Sequence, residues 1–292
     1  MSQPQFPTGL SELIAPFAAV ISDVWGVVYN GTRGEPEANE ALSRARASGR
    51  PVVLLSNAPK PSPVVANGLI KRGVAADAFD AIITSGDICR REAQALGAHC
   101  RMYHLGPSVD RATVQDLPHP RAERAEEADF ILCTGLAEEE KLPVPDHADL
   151  LAKAAQRGVP MLCANPDVIV ERMGEMVPCA GAIAAVYEEI GGPVTRLGKP
   201  EAIAYEACFA QFGELGHGEI HPDRVLAIGD ALATDIAGAA RFGLKALFIG
   251  DGIHRPDLPH ETEAPEAWQA AVAGLMNGHR HTPLAAMRRL SW

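Results

Sequence analysis

Apolar runs of strand length alternate with amphipathic stretches along most of the chain. Ala18 to Asp23 (Ala-Ala-Val-Ile-Ser-Asp) is nearly unbroken in its apolar character, the pattern of a strand covered on both faces. Glu35 to Ser48 repeats apolar positions at helical spacing (Ala38, Leu42, Ala45) and ends at Gly49, as a helix does. Pro51 to Leu55 is a second buried strand, Ser62 to Arg72 a helix stopped by Gly73, and Ala81 to Thr84 a third, short strand. Strands that alternate with helices in this way predict parallel β-α-β units.

The middle of the chain repeats the pattern with different punctuation. Arg101 to Leu105 and Asp129 to Thr134 read as strands, His147 to Arg157 as a helix, Val159 to Ala164 as a strand, and Gly181 to Ile190 as a helix stopped by Gly191-Gly192-Pro193. Pro193 to Arg196 is a weaker strand signal. The last third resumes the opening pattern: a helix over Glu201 to Phe212, a strand over Arg224 to Ile228, a helix over Asp235 to Phe242 closed by Gly243, and a strand over Leu244 to Ile249. The simplest layout is one α/β core with a parallel sheet, made of residues 1–87 and 194–292 and interrupted by an inserted α/β domain over 88–193. The tail from His279 to Trp292 reads as a solvated or docking segment.

Composition narrows the function classes. With 292 residues and 47% apolar positions the chain buries a real core, and 22% charged residues is ordinary for a globular protein. The net charge is −11 and no Lys/Arg cluster stands out, so no nucleic-acid partner is expected. No signal peptide and no membrane-spanning run is evident, and the six cysteines form no C-x-x-C pair. The expected setting is cytoplasmic, with reduced thiols and no membrane partner.

Four short pieces carry candidate chemistry: Ser22 to Val27 (Ser-Asp-Val-Trp-Gly-Val), Leu54-Leu55-Ser56-Asn57, Leu197-Gly198-Lys199-Pro200, and Ile228 to Asp235 (Ile-Gly-Asp-Ala-Leu-Ala-Thr-Asp). Each follows a predicted strand, and parallel α/β sheets collect chemistry at the carboxyl ends of their strands. Taken singly, each has an ordinary explanation, since Asp, Ser and Asn favour turns and helix caps. Together they assemble an acid able to attack phosphorus (Asp23), a hydroxyl and an amide for phosphoryl oxygens (Ser56, Asn57), and a cation to offset charge (Lys199). Asp230 and Asp235 complete the set as an oxygen-donor pair suited to Mg²⁺.

These motifs, in this order, resemble those of the haloacid-dehalogenase superfamily, and more narrowly its NagD-like class IIA branch with a C2-type cap. The resemblance rests on Asp23, Ser56, Lys199 and Asp230/Asp235, with Asn57, Asn165-Pro166-Asp167 and Gly198-Lys199-Pro200 matching the narrower branch. It implies a Rossmann-like core with an inserted cap, and a Mg²⁺-dependent phosphatase of a small phosphorylated metabolite that works through an aspartyl phosphate on Asp23. It also implies a metal site in which Asp23, the Trp25 carbonyl and Asp230 are ligands and Asp235 supports the metal shell or orients Lys199, with a homodimer as an association of this branch. Within the loop Asn165 to Ala180, Asn165, Asp167 and Arg172 are candidate substrate contacts.

One position departs from the family pattern. The residue two past the nucleophile is ordinarily an Asp that serves as general acid and base; here it is Trp25. Indole transfers no proton at neutral pH, and loss of general acid/base help costs about 10²–10⁴ in rate. Three readings follow: a slow phosphatase or one restricted to good leaving groups, a phosphometabolite-binding protein with little turnover, and a dehalogenase, whose first motif is also aromatic here. The Mg²⁺-type fourth motif ranks the dehalogenase last. Tyr29, Glu35 and Asp167 are the candidate stand-ins for the proton donor.

Overall fold

The computed structural model describes residues 3–137, 141–172, 175–260, 262 and 264–292. Its contacts divide the chain into two compact units, one of Met1–Ser56, Ala66–Ile83 and Tyr205–Trp292, the other of Asn57–Val65 and Thr84–Ala204. The expected insertion, 88–193, lies inside the second unit, which also takes in 57–65, 84–87 and 194–204.

Strands are numbered along the chain. The first unit is built on a six-stranded sheet of β1 (Ala19–Asp23), β2 (Val52–Ser56), β3 (Ala81–Thr84), β10 (Val225–Gly229), β11 (Lys245–Ile249) and β12 (Ala285–Met287). Their order is β12-β11-β10-β1-β2-β3. Every residue of β1, β2 and β10 is buried, which explains their continuous apolar runs: helices cover both faces of a parallel sheet, so no position faces water. From β1 the chain steps to β2 on one side, and on its later return it lays β10 on the other. The order therefore reverses between β1 and β10, the switch point at which open α/β sheets leave a crevice. Register places Ser22 opposite Ile228 and Asp23 opposite Leu55, so the carboxyl ends of β10, β1 and β2 lie side by side.

Polar anchors set the rim of this unit. The helix Pro36–Ala47 is tied to the sheet through Arg46, whose Nη2 lies 2.6 Å from Asp80 Oδ1, while Asp80 Oδ2 accepts the Val52 N–H at 2.8 Å. The tail reading is corrected here. Residues 285–287 form β12, a buried strand parallel to β11, and small apolar residues let it pack at the edge. Gln5 stitches the other end of the chain to it: the Gln5 N–H donates to Leu284 O (3.0 Å) and the Ala286 N–H to Gln5 O (2.8 Å). A helix over Pro265–Leu275, which the hydrophobic pattern did not suggest, covers the same region.

The second unit has a four-stranded parallel sheet, β4 (Met102–Leu105), β5 (Phe130–Cys133), β6 (Met161–Cys163) and β9 (Val194–Arg196), in the order β4-β5-β6-β9. The helices His147–Gln156 and Ala180–Glu189 pack on it through a core that includes Ile131, Leu151, Met161, Ile183 and Tyr187. The buried Tyr187 hydroxyl donates to Val159 O at 2.7 Å. The stretch read as a loop, Asn165 to Ala180, instead holds an antiparallel hairpin of β7 (Ile169–Arg172) and β8 (Glu175–Pro178). Its apolar residues Val168, Ile169 and Met176 are exposed, so it lacks the buried face that produces a strand signal. No helix among the described residues is long and apolar enough to cross a membrane.

Candidate active site

The carboxylates of Asp23, Asp230 and Asp235 come together in the first unit, each offering an oxygen within 4.8 Å of the others. All three residues are buried. Asp23 ends β1 and Asp230 follows Gly229 at the end of β10, so the two flank the switch point between these strands. Asp235 lies in a single π-helical turn, Leu232–Ile236, a local widening of the helix that recurs at functional sites. Its Oδ2 accepts the Ala231 N–H at 3.1 Å, and its own N–H returns to Ala231 O at 3.0 Å. A Cβ on Gly229 would fall 2.3 Å from the Asp235 Cβ, so the absence of a side chain there lets the second acid settle against the strand end.

Asp230 is held between two further glycines. An added Cβ on Gly26 would stand 1.9 Å from Asp230 Oδ2, and one on Gly252 2.1 Å from the same atom. Gly26 has φ +75°, a conformation that a side chain disfavours in any case. The next residue after Gly252 completes the seat, because the Ile253 N–H donates to Asp230 Oδ2 at 2.7 Å. This loop after β11 was missed in the sequence. The signal available was Gly250-Asp251-Gly252 directly after an apolar run, the same strand-end position that marked the other pieces.

Three carboxylates this close repel one another, and a cation between them would offset that repulsion. The donors are all oxygen, which suits a hard divalent ion such as Mg²⁺. The residues therefore fit the metal that the motifs imply.

Trp25 lies in the tight turn between Asp23 and Tyr29, where the N–H groups of Val28 and Tyr29 both donate to Val24 O (3.0 and 2.9 Å) and the Gly26 N–H to Tyr29 O (2.9 Å). The indole is 37% exposed and meets the Tyr29 ring edge-on, with centroids 5.1 Å apart. The Tyr29 hydroxyl donates to Gly31 O at 2.7 Å, and Glu35 accepts the Asn30 side-chain amide. Two of the three candidate stand-in proton donors are thus engaged in holding this turn. Ser56 closes β2 and is buried.

The second unit gathers Asn57, Asn165, Asp167 and Lys199, all but Asp167 buried. Asn57 is the hub. Its Oδ1 accepts the Lys199 N–H (2.8 Å) and the Ser85 hydroxyl (3.3 Å); its Nδ2 donates to Asp167 Oδ1 (2.8 Å) and Lys199 O (3.1 Å). An amide side chain has two donors and two acceptor sites, and here all four are occupied, so in this structure the amide holds the Lys199 backbone, Asp167 and Ser85. Asn165 Oδ1 accepts the Asp167 N–H at 3.2 Å, an Asx turn that sets the direction of Asp167. Gly198 leaves space for this arrangement, since its Cβ would strike Ser85 Oγ at 2.1 Å. His104, at the carboxyl end of β4, sits 2.9 Å from Thr134 Oγ1. Burial first, then the charges of Arg121 and Arg111, lower its pKa to about 4, so the ring is neutral at neutral pH. Arg172 lies in β7, and its side chain is outside the described part of the structure.

A family model described as haloacid dehalogenase-like hydrolase matches residues 20–117, and a second, described as HAD-hydrolase-like, matches 196–274. The crystal structure of a hydrolase of the haloacid dehalogenase-like family from Brucella suis 1330 is similar at 35% identity and TM-score 0.83, over 98% of this chain and 100% of that one. The sugar-phosphatase AraL of Bacillus subtilis (strain 168) is 26% identical over 242 residues, 80% of this chain and 84% of the relative. NagD from Escherichia coli K-12 shares the fold with TM-score 0.67 at 21% identity, over 94% of this chain and 96% of that one.

Proposed function

The chain belongs to the haloacid dehalogenase-like family of hydrolases, and we propose that it is a Mg²⁺-dependent phosphatase of a small phosphorylated metabolite, with Asp23 as the nucleophile. The observation that carries this reading is the buried trio of Asp23, Asp230 and Asp235 at the strand ends. The name of the Bacillus relative, a sugar phosphatase, supports a sugar phosphate as the substrate class.

Asp23, Asp230 and the Trp25 carbonyl would hold Mg²⁺, with Asp235 supporting its shell, and the ion would supply a positive centre that offsets phosphoryl charge. Asp23 attacks phosphorus with a carboxylate oxygen, the bond from phosphorus to the leaving oxygen breaks, and an aspartyl phosphate remains. Water then cleaves it, releasing inorganic phosphate and restoring the carboxylate. The Ser56 hydroxyl donates to a phosphoryl oxygen. Asn57 acts through what it holds, fixing the Lys199 backbone and the Asp167 carboxylate. Asn165 turns Asp167 into place, and Asp167 contacts the substrate beyond its phosphate.

The leaving oxygen needs a proton, and Trp25 provides none. Turnover of a sugar phosphate, whose leaving oxygen departs as a poor anion, is therefore expected to be slow, and a generic aryl phosphate, whose leaving anion is stable, is the appropriate first probe. The same residue favours a second reading, in which the protein binds a phosphometabolite with little turnover. Hydrolysis of an aryl phosphate and of a panel of sugar phosphates, with Mg²⁺ and with EDTA, separates the two. Turnover that needs Mg²⁺ and disappears in Asp23→Asn supports the phosphatase; tight binding of a panel member without phosphate release supports the binder.

A further inference from the structure

We propose that Arg288 is a positioning residue for Asp230, acting through the loop that follows β11. The inference rests on the reading of Asp230 as a metal ligand.

The loop is braced from the strand next to it. Beyond β12 the hydrogen-bonded ladder runs on, with the Gly250 N–H on Met287 O (2.8 Å) and the Asp251 N–H on Arg288 O (2.9 Å). The Arg288 guanidinium then reaches back to the far end of the same loop, donating from Nη1 to Pro259 O (2.9 Å) and from Nη2 to His260 O (3.2 Å). Its Nη1 lies 3.8 Å from Asp251 Oδ1 at the near end, where Arg289 adds a second ion pair, Nε to Oδ2 at 3.1 Å. The guanidinium also lies over the Trp268 ring, 5.2 Å from its centroid. The indole N–H of Trp268 is buried with no hydrogen-bond partner among the described residues, and the ring serves here as a flat support.

One side chain thus closes residues 251–260 into a staple with both ends fixed. Within that staple sit two groups that touch Asp230: Gly252, whose backbone lies against the carboxylate, and the Ile253 N–H on Oδ2. Asp230 takes its orientation from this loop, and the loop takes its position from Arg288. A planar fork is needed for two carbonyls and an aromatic face at once, and an ammonium does not reproduce it. The geometry parallels the outer-shell partners of metal ligands, whose loss lowers metal affinity about 10–100-fold.

The test measures Mg²⁺ affinity by calorimetry and amide exchange of the 250–256 segment in EDTA, on the full chain. Arg288→Ala should speed exchange at Ile253 without metal and weaken Mg²⁺ binding about 10-fold, with Arg288→Lys between it and the wild type. Folding in EDTA is checked by a thermal melt, and if Arg288→Ala does not fold, Arg288→Lys and Asp251→Asn carry the same comparison. Folded variants that keep the wild-type Mg²⁺ affinity overturn the inference, whether or not their exchange or melting temperature changes, because Arg288 is then a structural brace only. A wild-type protein that binds no Mg²⁺, or an Asp230→Asn variant that binds it equally well, overturns the metal reading and this inference with it; that outcome is recognised without any change at Arg288.

Discussion

Replacing Gly252 with alanine puts one methyl group into the seat of Asp230. The new Cβ would stand 2.1 Å from Oδ2, 2.4 Å from Cβ and 2.6 Å from Cγ of that residue. Ordinary contact begins at 3.4 Å, so the loop and the carboxylate must part by about 1.3 Å. The carboxylate has little room to retreat, because Gly26 is packed close to it as well: a Cβ added there would stand 1.9 Å from the same Oδ2. The loop must therefore give way and release the Ile253 hydrogen bond. Overpacking of this kind costs about 1–3 kcal/mol, which a melt in EDTA reads directly. A ligand oxygen displaced by about 1 Å no longer meets a Mg²⁺ ion at its 2.0–2.1 Å bonding distance, and misplacement on this scale costs about 10²-fold in rate. Gly213→Ala is the control: it lies in the helix Ala202–Glu214 with nothing within 4 Å of an added Cβ, and is expected to stabilise by about 0.5–1 kcal/mol. Mg²⁺ titration, aryl-phosphate hydrolysis and melting are compared across both variants. If Gly252→Ala keeps the melting temperature and Mg²⁺ affinity of the wild type, the crowding argument is wrong.

The other expectations concern different parts of the molecule. Trp25→Asp restores a carboxyl at the proton-transfer position and should raise phosphatase turnover, by up to about 10²-fold if nothing else is missing; an unchanged rate under steady-state assay would place the donor elsewhere. Burial pushes the Asp80 pKa up, but the Arg46 hydrogen bond, the Val52 N–H and the Arg46 charge outweigh it and hold the carboxyl below its ordinary value. A depressed folded pKa gives stability that is present above about pH 4 and is lost as pH falls through the folded pKa. Asp80→Asn should then lose about 1–2 kcal/mol at pH 7 and flatten the acid limb of urea melts; parallel acid limbs in variant and wild type would refute this. Burial raises the pKa of Cys89 and Cys133 well above the ordinary thiol value and that of Cys163 to about 12, whereas Cys100 is partly exposed. A disulfide reagent at pH 8 should therefore label Cys100 quickly and these three only on unfolding, and rapid loss of any of the three would contradict the burial.

Legibility followed burial. β1, β2, β10 and β11 stand out in the sequence because their faces are covered and their residues are almost all apolar, and the acids at their ends were visible for the same reason: a charge directly after such a run is conspicuous. Trp25 was visible as a departure from a motif. The β7–β8 hairpin was not, since its exposed apolar residues follow no period, and β12 was not, because Ala-Ala-Met within a polar tail carries almost no signal. The role of Asn57 was partly legible; its residue type pointed to hydrogen bonding, but only the folded second unit shows that all of its capacity is taken by Lys199, Asp167 and Ser85. Gly252 and Arg288 matter through close approach to distant residues, and neither a glycine nor an arginine in isolation announces that.

The stitching of Gln5 to Leu284 and Ala286 has a consequence for synthesis. A nascent chain halted just before β12 has already made Asp23, Asp230 and Asp235, yet it lacks the strand that steadies the loop beneath Asp230. Gln5 precedes its hydrogen-bond partners Leu284 and Ala286 by most of this sequence, so those two bonds form only after both have been made. The three acids are thus made before β12 can pair with β11 and with Gln5 at the edge of the sheet.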